Sequence, residues 1–182
     1  LINIANSLIG EGSYVEAEQL ARRALVIFER KFGADHPYTA ASHNAIGNSL
    51  NELGRYRAWD DPEAARPYFE QAIEHYMRAI AIRETNVGRD HPSIAVNLHN
   101  LGEAQRRRGR WEDAMASYQR ALDIKRKQFS GDHPNVIGSA TGLGRVLLEL
   151  GRVDEAVKVL EEASDRITDR EIRADIRGER AF

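Results

Sequence analysis

Apolar residues along the chain recur at helical spacing, in blocks separated by glycine and by proline. Ile94, Leu98 and Leu101 lie with Gln105 on one stripe, and Ala114, Tyr118, Ala121, Leu122 and Ile124 form a second. Both follow the i, i+3, i+4, i+7 rule of amphipathic helices. Gly109 stands between them, where a left-handed C-cap would end the first helix. Upstream, Pro92 suits a first helical turn, since the amide hydrogen it lacks has no partner there, and Asp90 or His91 can cap the exposed amides. The unit therefore reads helix, turn, helix.

That unit repeats. Asp-His-Pro occurs at Asp35-His36-Pro37, Asp90-His91-Pro92 and Asp132-His133-Pro134, with His-to-His separations of 55 and 42 residues. Eighteen residues after each histidine comes Gly-Arg: Gly54-Arg55, Gly109-Arg110 and Gly151-Arg152. Counting back 24 residues from His36, as from His133 to Gly109, reaches Gly12, so a unit lacking its beginning opens the chain. Alanines occupy matched places in every second helix: Ala17 and Ala24, Ala72 and Ala79, Ala114 and Ala121, Ala156 and Ala163. Small residues there let helices approach closely. Such self-similarity is the mark of stacked repeats.

The resulting organisation is a first repeat over 1–36, truncated at its start, a second over 37–91, a third over 92–133 and a fourth over 134–164. The second is 13 residues longer than the 42-residue period (55 − 42), and the excess is placed near 56–71. A helix start at Asp61-Pro62 gives its second helix an N-terminal extension that Pro67 bends. Trp59 is expected to fold back over the neighbouring helices; the competing reading makes Trp59 and Tyr68 a partner contact on a projecting arm. Residues 165–182 lose the pattern and read as a charged helix with i, i+4 pairs such as Asp169 and Arg173, serving as a cap or a linker.

Composition narrows the function. The formal charge is −2 with a pI near 6.3, which argues against nucleic acid or an anionic membrane as the main partner. The run Arg106, Arg107, Arg108, Arg110 has Trp111 alone beside it, where single-strand binding interleaves several aromatics. Cysteine is absent, so no disulfide, thiolate nucleophile or cysteine metal site exists, and a reducing, cytoplasmic setting fits. No apolar run approaches the roughly 20 residues of a membrane span. The three Asp-His pairs invite a metal, but equivalent positions of successive repeats sit on the order of 10 Å apart, and a capping role is expected. His43, His75 and His99 are read as seam or surface residues outside any ligand cluster. Neither a nucleophile with its base nor a phosphate-binding loop is present, so no enzyme and no cofactor are expected. The chain opens without methionine and in mid-pattern, and a larger parent protein is expected.

The stretch GRWEDAMASYQRALDIKRKQFSGDHP, Gly109 to Pro134, resembles the 42-residue tetratricopeptide repeat of kinesin light chains. The resemblance covers about residues 1 to 164. The family's Leu-Gly pair in the first helix matches Ile46-Gly47, Leu101-Gly102 and Leu143-Gly144, with Ile4-Ala5 a departure. Its large second-helix residue matches Tyr76, Tyr118 and Leu160, with Ala21 smaller. The resemblance implies an all-α fold, a right-handed superhelical α-solenoid of about four helix-turn-helix repeats, acting as a scaffold that binds a protein or peptide. On that analogy the concave groove is lined by Asn3 and Asn6, then Asn44, Asn48 and Asn51, then His99, Glu103 and Arg106, then Thr141 and Arg145. Asparagine amides can hold an extended backbone, donating and accepting at once, and Arg106 and Arg145 would favour a carboxylate at one end. Competing expectations are a sensor segment of a larger signalling ATPase or protease, and self-association through the terminal repeats.

Overall fold

The computed structural model describes residues 1–129 and 133–163. Among them are eight helices: α1 (Ile2–Gly10), α2 (Tyr14–Phe32), α3 (Pro37–Asp60), α4 (Pro62–Val87), α5 (Pro92–Arg108), α6 (Trp111–Arg126), α7 (Pro134–Glu149) and α8 (Val153–Ala163). Asp132 and the charged segment 165–182 lie outside the described residues.

Helix starts follow the Asp-His-Pro triplets. His36, His91 and His133 are the N-caps of α3, α5 and α7, each accepting a backbone N–H two residues on at its Nδ1, with proline next. Of the two caps offered at α5, Asp90 or His91, the histidine ring takes the role. Asp61 caps α4 with Oδ1, which accepts the amides of Glu63 and Ala64. Gly109 ends α5 at φ 80°, a left-handed conformation that costs glycine nothing.

Each first helix packs on its own second helix and, from α3 on, on the second helix of the preceding unit, so the eight helices form one stack of pairs. Large second-helix residues explain the small partners opposite them. A Cβ on Gly47 would lie 2.7 Å from the Tyr76 ring, one on Gly102 3.0 Å from Tyr118, and one on Gly144 3.1 Å from Leu160. In the first unit both positions shrink together: Ala5 and Ala21 are fully buried in the same cluster. One apolar cluster runs from α1 to α6, and a second joins α6, α7 and α8, so α6 contributes to both.

The 13 extra residues lengthen two helices. Gly54 does not end α3, unlike Gly109 in α5; the helix continues to Asp60, and α3 and α4 reach 24 and 26 residues against 17 and 16 for α5 and α6. Gly54 is needed for space instead, since a Cβ there would come 2.7 Å from Phe69 of the α4 extension. Pro67 lies inside α4, and its missing N–H leaves the Glu63 carbonyl without the usual helical donor. Trp59 does not fold back: it is 91 % exposed at the end of α3, while Tyr68 is half-buried against the core.

The stack curves with its first helices inside. α1 approaches α3, α3 approaches α5 and α5 approaches α7 within 8 Å between Cα atoms, whereas among the described residues no two second helices come so close. The molecule is thus a right-handed superhelical α-solenoid whose concave side is made by α1, α3, α5 and α7.

Candidate partner-binding face

The inner helices carry a polar row that is held together from one repeat to the next. Asn97 is almost fully buried and donates its Nδ2 to Asn44 Oδ1 at 2.7 Å. Asn48 Oδ1 accepts twice, from the Tyr76 hydroxyl at 2.9 Å and from Asn100 Nδ2 at 3.1 Å. The asparagine bonds span α3 and α5, the Tyr76 bond spans α3 and α4, and together they fix the orientation of the Asn44 and Asn48 amides. Asn44 and Asn48 therefore have their carbonyl oxygens engaged and their NH₂ groups turned to other use, since an amide has two donors besides its acceptor. Asn51, one turn further, is 7 % exposed, and its Oδ1 has no hydrogen-bond partner among the described residues.

Farther along the groove the charges pair with each other. Glu103 receives Arg106 Nη2 at 2.9 Å and Nε at 3.1 Å, the Tyr118 hydroxyl at 2.8 Å, and lies 2.7 Å from Arg107 Nε. Burial alone would raise its carboxyl, but the hydrogen bond and charge of Arg106, the charge of Arg107 and the Tyr118 hydroxyl outweigh it and hold the group at about 2. Arg106 is thereby committed to Glu103 and is not the free cation expected from the sequence. Arg107 is pushed down by burial and by the charges of Arg106 and Arg55, which Glu103 only partly offsets.

His99 lies against Tyr118 edge-on at 5.4 Å, with Nδ1 3.3 Å from the Ser139 hydroxyl. Lys125 donates to the same hydroxyl at 2.8 Å; the lysine is 8 % exposed and forms no ion pair with a described residue. Burial, then the Lys125 charge, lower His99 to about 4. Thr141 and Arg145 are half-buried on α7, and Asn3 and Asn6 are exposed on α1.

Asn97, Asn100, Arg107 and Lys125 are absent from the sequence-derived set. Repeat arithmetic pairs Asn44 with His99 and Asn48 with Glu103, 55 residues on. The side chains that meet are 53 and 52 residues apart, because successive inner helices are staggered along their axes. Asparagines three apart on α5, facing those on α3, were the available signal. Lys125 gave none, since a lysine on the second helix of a repeat reads as solvated.

Away from the groove, His43 and His75 meet with Nδ1 atoms 2.8 Å apart, a pairing the sequence reading did not foresee. Burial lowers both to about 4, with Arg78 adding to the shift at His43, and His43, Arg22 and Arg78 adding at His75. Among the described residues no group of three or more His, Asp or Glu could hold a metal ion. No described helix is long and apolar enough to cross a membrane.

Residues 1–74, 68–127 and 106–169 match the model of a family described as tetratricopeptide repeat. Nothing matches among curated proteins. Among solved structures, the nearly identical TPR-like repeats of a Podosopora anserina protein assigned as a kinesin light chain superpose with a TM-score of 0.77 at 21 % identity, covering 98 % of this chain and 86 % of that one. A substituted variant of the same repeats gives the same score and identity, covering 85 % of its chain. At that identity the likeness shows the fold.

Proposed function

The chain belongs to the tetratricopeptide repeat family, whose repeats are generally protein–protein interaction modules, and from that premise we propose that its concave face holds an extended stretch of a partner polypeptide. The observation that carries the reading is the asparagine row across α3 and α5. With Asn44 and Asn48 oriented by Asn97, Tyr76 and Asn100, their NH₂ groups form a pre-set pair of donors on adjacent turns. Pre-orientation lowers the entropy lost on binding, which favours a backbone held in one register over loose contact. Because the groove meets backbone amides with asparagine amides, side-chain identity in the partner matters less at this end than at the other.

The Glu103, Arg106 and Arg107 cluster carries two cations for one carboxylate, so a partner carboxylate is favoured there, with Arg107 and Arg145 as its candidate contacts and Arg106 retained by Glu103.

Selection of displayed peptides against the chain tests this. Asn100→Ala is the informative variant, because Asn48 keeps its bond from Tyr76 and the fold loses one exchangeable contact. An enriched motif that binds Asn100→Ala about tenfold more weakly or worse, a loss of about 1.4 kcal/mol, is expected. Absence of enrichment by a helical, folded chain would remove free peptide as the ligand.

A further inference from the structure

The α3 extension ends in an aromatic knob beside an apolar socket. Trp59 is 91 % exposed and Tyr56, one turn earlier, is 68 % exposed. A cleft of about 420 Å³ lies against the same arm, walled by Tyr14, Val15, Leu53, Tyr56 and Tyr68 together with the charged Glu18 and Arg57. It belongs to the volume class that holds a drug-sized group. A second, more polar cleft of about 610 Å³ shares Tyr14 and Tyr56 with it and has Trp59 on its border, so knob and socket form one continuous patch. Trp59 follows Arg57 closely and precedes Asp60 in the chain. The neighbouring charges are paired, Arg55 with Glu52 and Arg66 with Glu63, but neither Arg57 nor Asp60 forms an ion pair with a described residue.

We propose that this patch is a two-fold interface between two copies of the chain, in which Trp59 of each copy seats in the apolar cleft of the other and Arg57 of each meets Asp60 of the other. A two-fold contact needs one surface to carry both halves of every interaction. This surface does so twice: an indole beside a cleft that can receive it, and an unpaired cation beside an unpaired anion. A different partner would have to supply only one half of each, and the presence of both on one arm is then unexplained. Tryptophan, tyrosine and arginine are also the residue types on which binding energy concentrates. The patch joins the α3 and α4 extensions to the start of α2, and a reversible, concentration-dependent association is expected. Tyr14 and Val15 belong to the first repeat, so the interface joins that repeat to the arm of the second.

Light scattering on the complete chain, from low micromolar to near-millimolar concentration, should show the mass rising from 20.5 kDa toward twice that value. Trp59→Ala should weaken association about 30-fold or more, with the helical circular dichroism unchanged because the side chain is in water. Arg57→Asp and Asp60→Arg should each be monomeric, since each sets like charges against each other twice. Mixed one to one they should associate, and the double variant carrying both exchanges should regain the wild-type mass. A wild-type chain that stays monomeric throughout overturns the proposal and leaves the arm for a different partner. Association that Trp59→Ala does not weaken, or single charge variants that still dimerise, overturns it as well and moves self-association to another surface. Asn100→Ala should leave the dimer intact, so failure of the groove reading and failure of this one are separable.

Discussion

The His43–His75 pair, together with His99, which burial also holds near 4, makes the stability of the chain depend on pH. Both imidazoles are held near 4 by burial, against about 6.5 when unfolded. Between those values the unfolded chain binds protons that the folded chain refuses. The stability is therefore fully present above about 6.5 and is lost as pH falls toward 4. Glu103, held at about 2, adds a loss with the same sign at lower pH, beginning below its unfolded value of about 4.5. The urea midpoint at pH 5 should lie below that at pH 7. His43→Leu, which places at this seam the residue found at Leu98 in the next repeat, should reduce the difference, because His75 remains half-buried but loses one of its charge neighbours. An undiminished pH 5 to pH 7 difference in His43→Leu would mean that the pair is not the origin. The pairing itself was not legible in the sequence. The residues are 32 apart on two lengthened helices, and periodicity places each on a face without saying which turn it meets.

At the scale of elements, what could be read from the sequence was what repeats. His36, His91 and His133 became caps, and Gly109 became a left-handed terminus, because these roles depend on local backbone geometry that the same tripeptide or glycine produces each time. Gly54 broke the rule because of its surroundings. The insertion supplies Phe69 to cover it, and a glycine that the period marks as a terminus becomes an interior contact. Trp59 was misread for the same reason: extending α3 straight through Gly54 carries the side chain past the neighbouring helices that would have covered it. Deleting residues 57–69 joins Gly54-Arg55-Tyr56 to Glu70-Gln71-Ala72, the register of Gly109-Arg110-Trp111-Glu112-Asp113-Ala114. The shortened chain should still unfold cooperatively in urea and keep the Glu70 bridges to Arg108 and Arg110. It should be less stable by about 2–3 kcal/mol, the burial of one large side chain, since Phe69 is nearly fully buried. Loss of the cooperative transition would show that the extensions are part of the core and not additions to it.

At the scale of the whole molecule, contacts among the described helices join only neighbouring helical pairs, so damage should stay where it is made. Tyr118 tests this. Its ring fills the space between Gly102 of α5 and Gly142 of α7, and its hydroxyl is tied to Glu103, which leaves it little room to retreat. A Cβ on Gly142 would overlap the ring, whereas one on Gly138, a turn earlier, finds only His99 at 4.0 Å. Gly142→Ala should cost about 1–3 kcal/mol by overpacking, and Gly138→Ala should be neutral or stabilising by up to about 1 kcal/mol, since it removes a helical glycine without a clash. The location of the loss matters more than its size. The first apolar cluster, α1 to α6, contains neither Gly142 nor its α7 neighbours, while the second depends on Tyr118 packing beneath α7. Hydrogen exchange on Gly142→Ala should therefore show faster exchange across α7 and α8 with α3 and α4 unchanged, the signature of a sub-global opening. Equal acceleration in all helices would mean that the repeats unfold as one unit, and that the asparagine bonds between α3 and α5 transmit strain along the stack. In that case a ligand bound at one end of the groove would be felt at the other.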